Sequence, residues 1–199
     1  DYTDSSCPAL LLEPLRTNYV EHSEYTAGLI LVQVARTQNS ILSPEGVQNA
    51  TTIASNTTAG PHYFGYNAIP VTSGASYSAG LFIKKGTGRY FQLLFGSGGF
   101  GTTQFANFDL QDGVVTYEAA DADAAIVDYG NGWYRCTITS VAGSNTSETY
   151  YGAIINSPTA GRVFGHTDSL DYYIYGAQLE AGSYATSYIP TYGSSVSRV

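Results

Sequence analysis

Side-chain polarity along much of this chain alternates with every residue, the period of a β-strand that turns one face to an apolar interior. In residues 77–85, Tyr77, Ala79, Leu81 and Ile83 fall on one side and Ser78, Gly80, Phe82 and Lys84 on the other, so the first set reads as core. Gly86-Thr87-Gly88 then leads into residues 90–95, where Phe91, Leu93 and Phe95 oppose Tyr90, Gln92 and Leu94, and the two runs read as a hairpin. Residues 104–110 and 114–117, about the turn Gln111-Asp112-Gly113, read as a second. Further strands are expected at 29–35, 51–54, 63–68, 124–128, 133–141, 150–156 and 172–179. Residues 96–101, with four glycines in six positions, read as a loop.

Ser43-Pro44-Glu45-Gly46 begins like a capped helix, but Gly46 follows at once without an apolar stripe, so it reads as a turn. The 22 glycines, 18 tyrosines and absence of methionine favour strands and tight turns over helices. Strand after strand without intervening helices excludes a doubly wound α/β fold. What remains is an all-β, two-sheet antiparallel β-sandwich of jelly-roll type. A chain of 199 residues supports one hydrophobic core, so residues 1–199 read as one domain.

A net charge of −8 argues against nucleic acid and an anionic membrane as partners, since both need a basic surface. No apolar run approaches the roughly 18 residues of a membrane span. Residues 1–7 lack the basic and apolar segments of a signal peptide, so the chain reads as a mature or excised module. A bridge between Cys7 and Cys136 would close a very long loop and stabilise by about 4–5 kcal/mol; the alternative is that Cys136 is a small buried side chain within its strand. Glycosylation sequons at Asn49, Asn56 and Asn145 matter only in a eukaryotic secretory pathway.

Catalytic patterns are sparse. His22, His62 and His166 stand alone without metal-ligand spacing, and there is no nucleophile elbow. Gly96-Ser97-Gly98-Gly99 sits between strands and reads as a turn rather than a phosphate loop. The acids at 121–123 and 168–171 form no facing carboxylate pair in the sequence. A β-sandwich polysaccharide lyase, which needs only Tyr, His, Arg and Gln beside a uronate, stays open. Binding is better supported, because sugars present apolar ring faces and hydroxyls, and tyrosine meets both. Lys84, Lys85, Arg89 and Arg135 fall in three adjacent predicted elements, with Lys84 and Arg135 opposite the apolar face. If their strands share a sheet, a basic groove flanked by Phe82, Gln92 and Trp133 would suit an anionic polysaccharide. The alternatives are solvated lysines beside a turn and, for Trp133, a plug at one end of the core.

Three stretches belong together: Leu11-Leu-Glu-Pro-Leu-Arg-Thr-Asn18 with His22-Ser-Glu24, then Gly130-Asn-Gly-Trp-Tyr-Arg-Cys136, then Tyr175-Gly-Ala-Gln-Leu-Glu-Ala-Gly-Ser183 with Thr186-Ser-Tyr-Ile-Pro-Thr191. The set resembles jelly-roll, carbohydrate-binding-module-like domains found in phage tail and receptor-binding proteins and in secreted multimodular proteins of marine polysaccharide-degrading bacteria. That resemblance implies paired first and last strands and a structural calcium ion, with Asn18, Glu21, Glu24, Gln178 and Glu180 as candidate oxygen donors. An Asp that many related modules carry near the last strand is replaced here by Tyr175-Gly-Ala-Gln178. It also implies an extracellular setting, secreted or on a cell surface or virion, within a larger multimodular chain. Because the Gly130–Cys136 stretch recurs across such modules, it makes Trp133 and Arg135 scaffold residues and assigns specificity to loops around 62–66 and 162–168.

The leading expectation is a non-catalytic module for a polysaccharide or oligosaccharide, with ligand contacts drawn from Tyr63, Tyr66, Phe82, Lys84, Gln92, Trp133, Arg135, Tyr151 and His166. A structural or adhesive domain of a phage tail or surface fibre, and a lyase, are the alternatives.

Overall fold

The computed structural model describes residues 13–26, 28–66 and 68–198. In chain order the strands are β1 (Arg16–Asn18), β2 (Ile30–Val32), β3 (Val34–Ile41), β4 (Ala50–Ser55), β5 (His62–Gly65), β6 (Ile69–Val71), β7 (Ser76–Lys85) and β8 (Tyr90–Phe95). A single helical turn, α1 (Ser97–Phe100), precedes β9 (Phe105–Asp109), β10 (Val114–Glu118), β11 (Asp123–Asp128) and β12 (Trp133–Val141). They are followed by β13 (Thr146–Glu148), β14 (Tyr150–Ile155), β15 (Asp171–Ala181) and β16 (Val196–Arg198). Two six-stranded antiparallel sheets, in the orders β10-β9-β8-β14-β5-β2 and β11-β12-β7-β15-β4-β3, form a jelly-roll sandwich, and β1-β16 and β13-β6 are two further short antiparallel pairs. No helix among the described residues is long and apolar enough to cross a membrane.

Alternation places the core as the sequence implies. Tyr77, Ala79, Leu81 and Ile83 of β7 meet Phe91, Leu93 and Phe95 of β8 between the sheets, together with Phe64, Phe108, Cys136, Ile154 and Ile174. Cys136 is thus a buried apolar side chain; Cys7 lies outside the described residues.

Three expectations need correction. Residues 77–85 and 90–95 are not a hairpin: β7 pairs with β12 and β15, and β8 with β9 and β14 in the opposite sheet. The turn between them is strapped to the start of β15, where Gly86 and Gly88 donate to the Asp171 carbonyl and Thr87 N–H to its carboxylate, so the chain crosses the sandwich. Residues 29–35 are likewise not one strand. Gln33 takes a left-handed φ of 53° and hands the chain from β2 in one sheet to β3 in the other. Finally, the glycine-rich stretch after β8 closes into the helical turn α1.

The outer face of β15 is covered by residues 183–192, and buried polar side chains join the two ends of the chain there. The Asn18 amide donates to the carbonyls of Ala177 (3.0 Å) and Ile189 (2.8 Å), and its oxygen accepts from the N–H groups of Val20 and Leu179, both at 3.1 Å. Glu180 accepts from the Thr186 N–H and hydroxyl, each at 2.7 Å, and Gln178 accepts from Ile189 N–H at 2.7 Å. Every polar group of Asn18 is satisfied, which is what a fully buried amide requires.

Candidate functional site

On the outer face of the β5-β14-β8 sheet lies an open cleft of about 560 Å³ lined by Tyr63, Leu94, Glu148, Tyr151, Arg162 and Val163, among others. Tyr63 and Tyr151 sit on the neighbouring strands β5 and β14 and meet at right angles, their ring centroids 5.7 Å apart. Gly65, the direct partner of Tyr151 across the ladder, makes room for that arrangement, since a Cβ there would stand 2.6 Å from the Tyr151 ring. Leu94, Phe105 and Ala153 form a small buried apolar cluster under the two rings.

One wall of the cleft is charged. The Glu148 carboxylate is wrapped by the glycine segment: it accepts from Gly99 N–H and, at 3.0 Å, from Thr149 N–H, and a Cβ on Gly96 would stand 1.7 Å from its oxygen. Glycine is needed there because the backbone approaches a side chain directly. Arg162 reaches in from the β14–β15 connection. Its Nη2 donates to the Phe95 carbonyl, whereas its buried Nη1 has no hydrogen-bond partner. Burial holds its pKa below the usual value, while the nearby Glu148 opposes that shift. A partly desolvated guanidinium beside a cleft forms stronger charge-assisted hydrogen bonds than one in open water.

The connection that carries Arg162 and Val163 is pinned from beneath. Gln92 donates to Asn107 (2.8 Å) and to the Gly161 carbonyl (3.1 Å) and accepts from Val163 N–H (2.8 Å). Asn107 in turn donates to the carbonyls of Pro158 and Ala160. Val163 has a φ of 50°, a costly conformation for a β-branched residue that persists only when its surroundings impose it. At the far end of the connection, His166 bonds the Ile154 carbonyl and accepts from Asp168 N–H, and its ring stacks on His62 at 4.3 Å. Burial, reinforced by the neighbouring His166, holds His62 below its ordinary pKa of 6.5, against the opposing pull of the Asn56, Gly60 and Thr58 backbone. The folded state therefore binds fewer protons there than the unfolded chain. Stability is fully retained above the unfolded pKa of 6.5 and falls as the pH drops below it. Melting curves from pH 8 to pH 5 should show this loss, and His62→Gln should flatten it.

The structure divides the residues singled out from sequence into four groups. Tyr63 and Tyr151 line the cleft. Gln92 and His166 are buried beneath its loop, and so position the site without facing a ligand. Tyr66 is buried, stacks on Tyr150 at 4.7 Å and does not line the cleft. Phe82, Lys84, Trp133 and Arg135 lie on the outer face of the other sheet, where β7 and β12 do pair, but Gln92 is not beside them.

The expected basic groove therefore does not form. Lys84 donates to the Asn131 carbonyl (2.7 Å), Lys85 to Gln111 (3.2 Å), and Arg89 grips Asp109 and Asp112 on the opposite sheet. Trp133 is buried with Phe82 and Tyr175 on that outer face and donates to the Leu42 carbonyl at 3.2 Å, so it does not plug the core. Sequence reasoning missed Glu148 and its glycine cradle; the run of glycines was the only signal for them.

The donor set inferred for calcium also needs correction. Calcium takes six to eight oxygens. Both lone-pair directions of the Asn18 oxygen are spent on backbone N–H groups, Gln178 and Glu180 are committed to residues 186–189, and Glu24 accepts from the hydroxyls of Tyr192 (2.9 Å) and Tyr188 (3.4 Å). Glu21 is exposed. These residues brace the fold and do not fit the ion. A hundredfold excess over Kd would stabilise a calcium-binding fold by about 2.7 kcal/mol. Melting curves in calcium and in EDTA should superimpose.

No protein-family model and no curated protein matches the sequence. Among solved structures, the chain is similar to the enzymatically active domain of tailspike protein 4 of bacteriophage CBA120, with 13% identity over 83% of this chain and 21% of that one and a TM-score of 0.45. It is also similar to the CBM22-1–GH10 modules of xylanase 10B from Clostridium thermocellum, complexed with xylohexaose, with 12% identity over 87% of this chain and 29% of that one and a TM-score of 0.46. A third likeness is to the C-terminal CBM6 of LamC, a laminarinase of Zobellia galactanivorans, with 12% identity over 85% of this chain and all of that one and a TM-score of 0.38. This chain spans less than a third of the first two. At these identities and scores the likenesses are resemblances of fold, and no ligand or activity is carried across from them.

Proposed function

We propose that this domain is a non-catalytic carbohydrate-binding module that holds a segment of polysaccharide or oligosaccharide in the cleft between Tyr63, Tyr151, Glu148 and Arg162. The observation that carries the proposal is the joining, in one open cleft, of a right-angled tyrosine pair with the Glu148 carboxylate and the Arg162 guanidinium. An apolar ring face of a sugar packs on a tyrosine, a hydroxyl accepts from Arg162, and another donates to Glu148. One guanidinium beside one carboxylate suits a neutral chain, or one with a single acidic group at the Arg162 wall, better than a dense polyanion. Hydrolysis by paired carboxylates needs a second acid roughly 5–10 Å from the first, and the cleft lining contains Glu148 alone. A lyase would want a histidine in the cleft, whereas His62 and His166 are buried against each other.

In this reading the module works outside the cell, on a secreted, cell-surface or virion protein, as one part of a larger chain. Affinity electrophoresis against neutral glucans, xylan, agar, carrageenan and alginate tests it. Retardation by at least one polymer, strongest for neutral or weakly acidic ones, is expected; free migration in every gel would refute binding. New unsaturated uronate ends would favour the lyase alternative.

A further inference from the structure

The sheet opposite the cleft carries a second concavity. A half-open cavity of about 270 Å³ is lined by Phe82 of β7, Tyr175 of β15, Tyr129 from the β11–β12 turn and Tyr188 from the C-terminal segment, together with Pro44 and Glu45. Four separate parts of the chain thus deliver one aromatic ring each. The rings are set on edge to one another: Phe82 meets Tyr129 at 87° and 4.8 Å and Tyr188 at 83° and 5.7 Å, and Tyr175 meets Tyr188 at 61° and 5.9 Å. The Gly176 bulge in β15, at a φ of 61°, lets Phe82 and Tyr188 close in, since a Cβ there would stand 2.8 Å from the Phe82 ring.

A box is a different recognition element from a platform. Sugar binding uses a broad ring face open to solvent, whereas Phe82 and Tyr175 are only 4% and 3% exposed and contribute just the wall of a small cavity. Aromatic rings gathered around a small volume, with an acidic side chain among them, are the elements that attract an organic cation. Two carboxylates near the cavity have the matching sign. Glu45 lines the cavity, and Glu24 stands behind it, accepting from the Tyr188 and Tyr192 hydroxyls. The Tyr175 hydroxyl points to the same acidic side, where the rise in its pKa that burial causes is reinforced by Glu45 and Glu24 close by. Burial raises the pKa values of Tyr175 and Tyr188, so both rings stay neutral phenols at physiological pH. The Arg135 guanidinium carbon lies 5.6 Å from the Phe82 centroid, and Arg135 does not line the cavity.

We propose that Phe82, Tyr129, Tyr175 and Tyr188, with Glu45, form a cage for a quaternary or methylated ammonium group, a binding site separate from the saccharide cleft. The ammonium could belong to a choline head group or to a methylated lysine side chain.

Choline and Nε-trimethyl-lysine are therefore titrated in parallel by NMR and calorimetry, beside 3,3-dimethylbutan-1-ol, the uncharged carbon isostere of choline. Saturable binding of at least one cation is expected, with the isostere roughly tenfold weaker, and the tighter of the two cations identifies the source. Tyr129 is 49% exposed, so Tyr129→Ala keeps the fold, as an unchanged melting temperature will verify. This variant should weaken the cation roughly tenfold, and Glu45→Gln roughly threefold, with saccharide retardation untouched. Equal affinity for cation and isostere, no saturable cation binding, or full affinity in Tyr129→Ala would each overturn the proposal.

Discussion

Alanine in place of Tyr151 removes saccharide binding while leaving the sandwich folded. The Tyr151 ring lies over Gly65 and stands edge-on to Tyr63, so its loss takes away both the apolar surface and the partner that orients the second ring. Aromatic residues at the centre of a binding surface typically contribute 2 kcal/mol or more, so affinity should fall roughly 30-fold or further. The ring is only partly buried, and the stability cost should stay below about 2 kcal/mol. Gly65→Val should have the same effect on binding by pushing the ring aside, since its Cβ would collide 2.6 Å away. Tyr192→Ala is the control, because Tyr192 is 75% exposed and lies outside the cleft. Calorimetric titration of all three variants checks the expectation; undiminished affinity in Tyr151→Ala would place the ligand elsewhere.

Asn18→Ala should have the opposite profile, destabilising the fold without touching the ligand. The change strands the N–H groups of Val20 and Leu179 and the carbonyls of Ala177 and Ile189 in a buried setting. Unmatched buried polar groups cost on the order of 1–3 kcal/mol each before relaxation, so a net loss of about 3–5 kcal/mol is expected. For a chain of this length that corresponds to a fall in Tm of about 10 °C or more. Scanning calorimetry measures it, and saccharide affinity at a temperature where the variant is folded should equal that of the parent chain. An unchanged Tm would mean that the two ends of the chain are not held by this side chain.

These two residues mark what the sequence could reveal. Period-two alternation located the strands and the inward faces of β7, β8 and β12 because burial on one side of a pleat leaves a local pattern. Connectivity left no such trace. A strand alternates identically whether its successor pairs beside it or crosses the sandwich, so Gly86-Thr87-Gly88 looked like a hairpin turn when it is a corner tied to Asp171.

The polar faces misled for a related reason. Both outer faces are partly roofed, by the 157–166 connection on one sheet and by residues 183–192 on the other, so Gln92, Gln178 and Glu180 are buried struts although their strand positions are polar, and His166 is buried within the connection itself. The most distinctive motif, 175–191, accordingly reports how the chain end is fastened. Tyr63 and Tyr151 were legible as aromatics on strands, and Arg162 fell within a loop expected to carry specificity. Glu148 was not, because its cradle joins residues 49 positions apart and exists only in three dimensions.

The central claim is that the saccharide sits in the β5-β14-β8 cleft. Amide and side-chain NMR shifts, followed during titration with the shortest oligosaccharide of whichever polymer retards the domain, locate it most directly. The largest changes are expected at Tyr63, Glu148, Tyr151 and Arg162, with residues of the opposite sheet unmoved. Shifts centred on Phe82, Tyr129 and Tyr175, with Tyr63 and Tyr151 unmoved, would contradict the account.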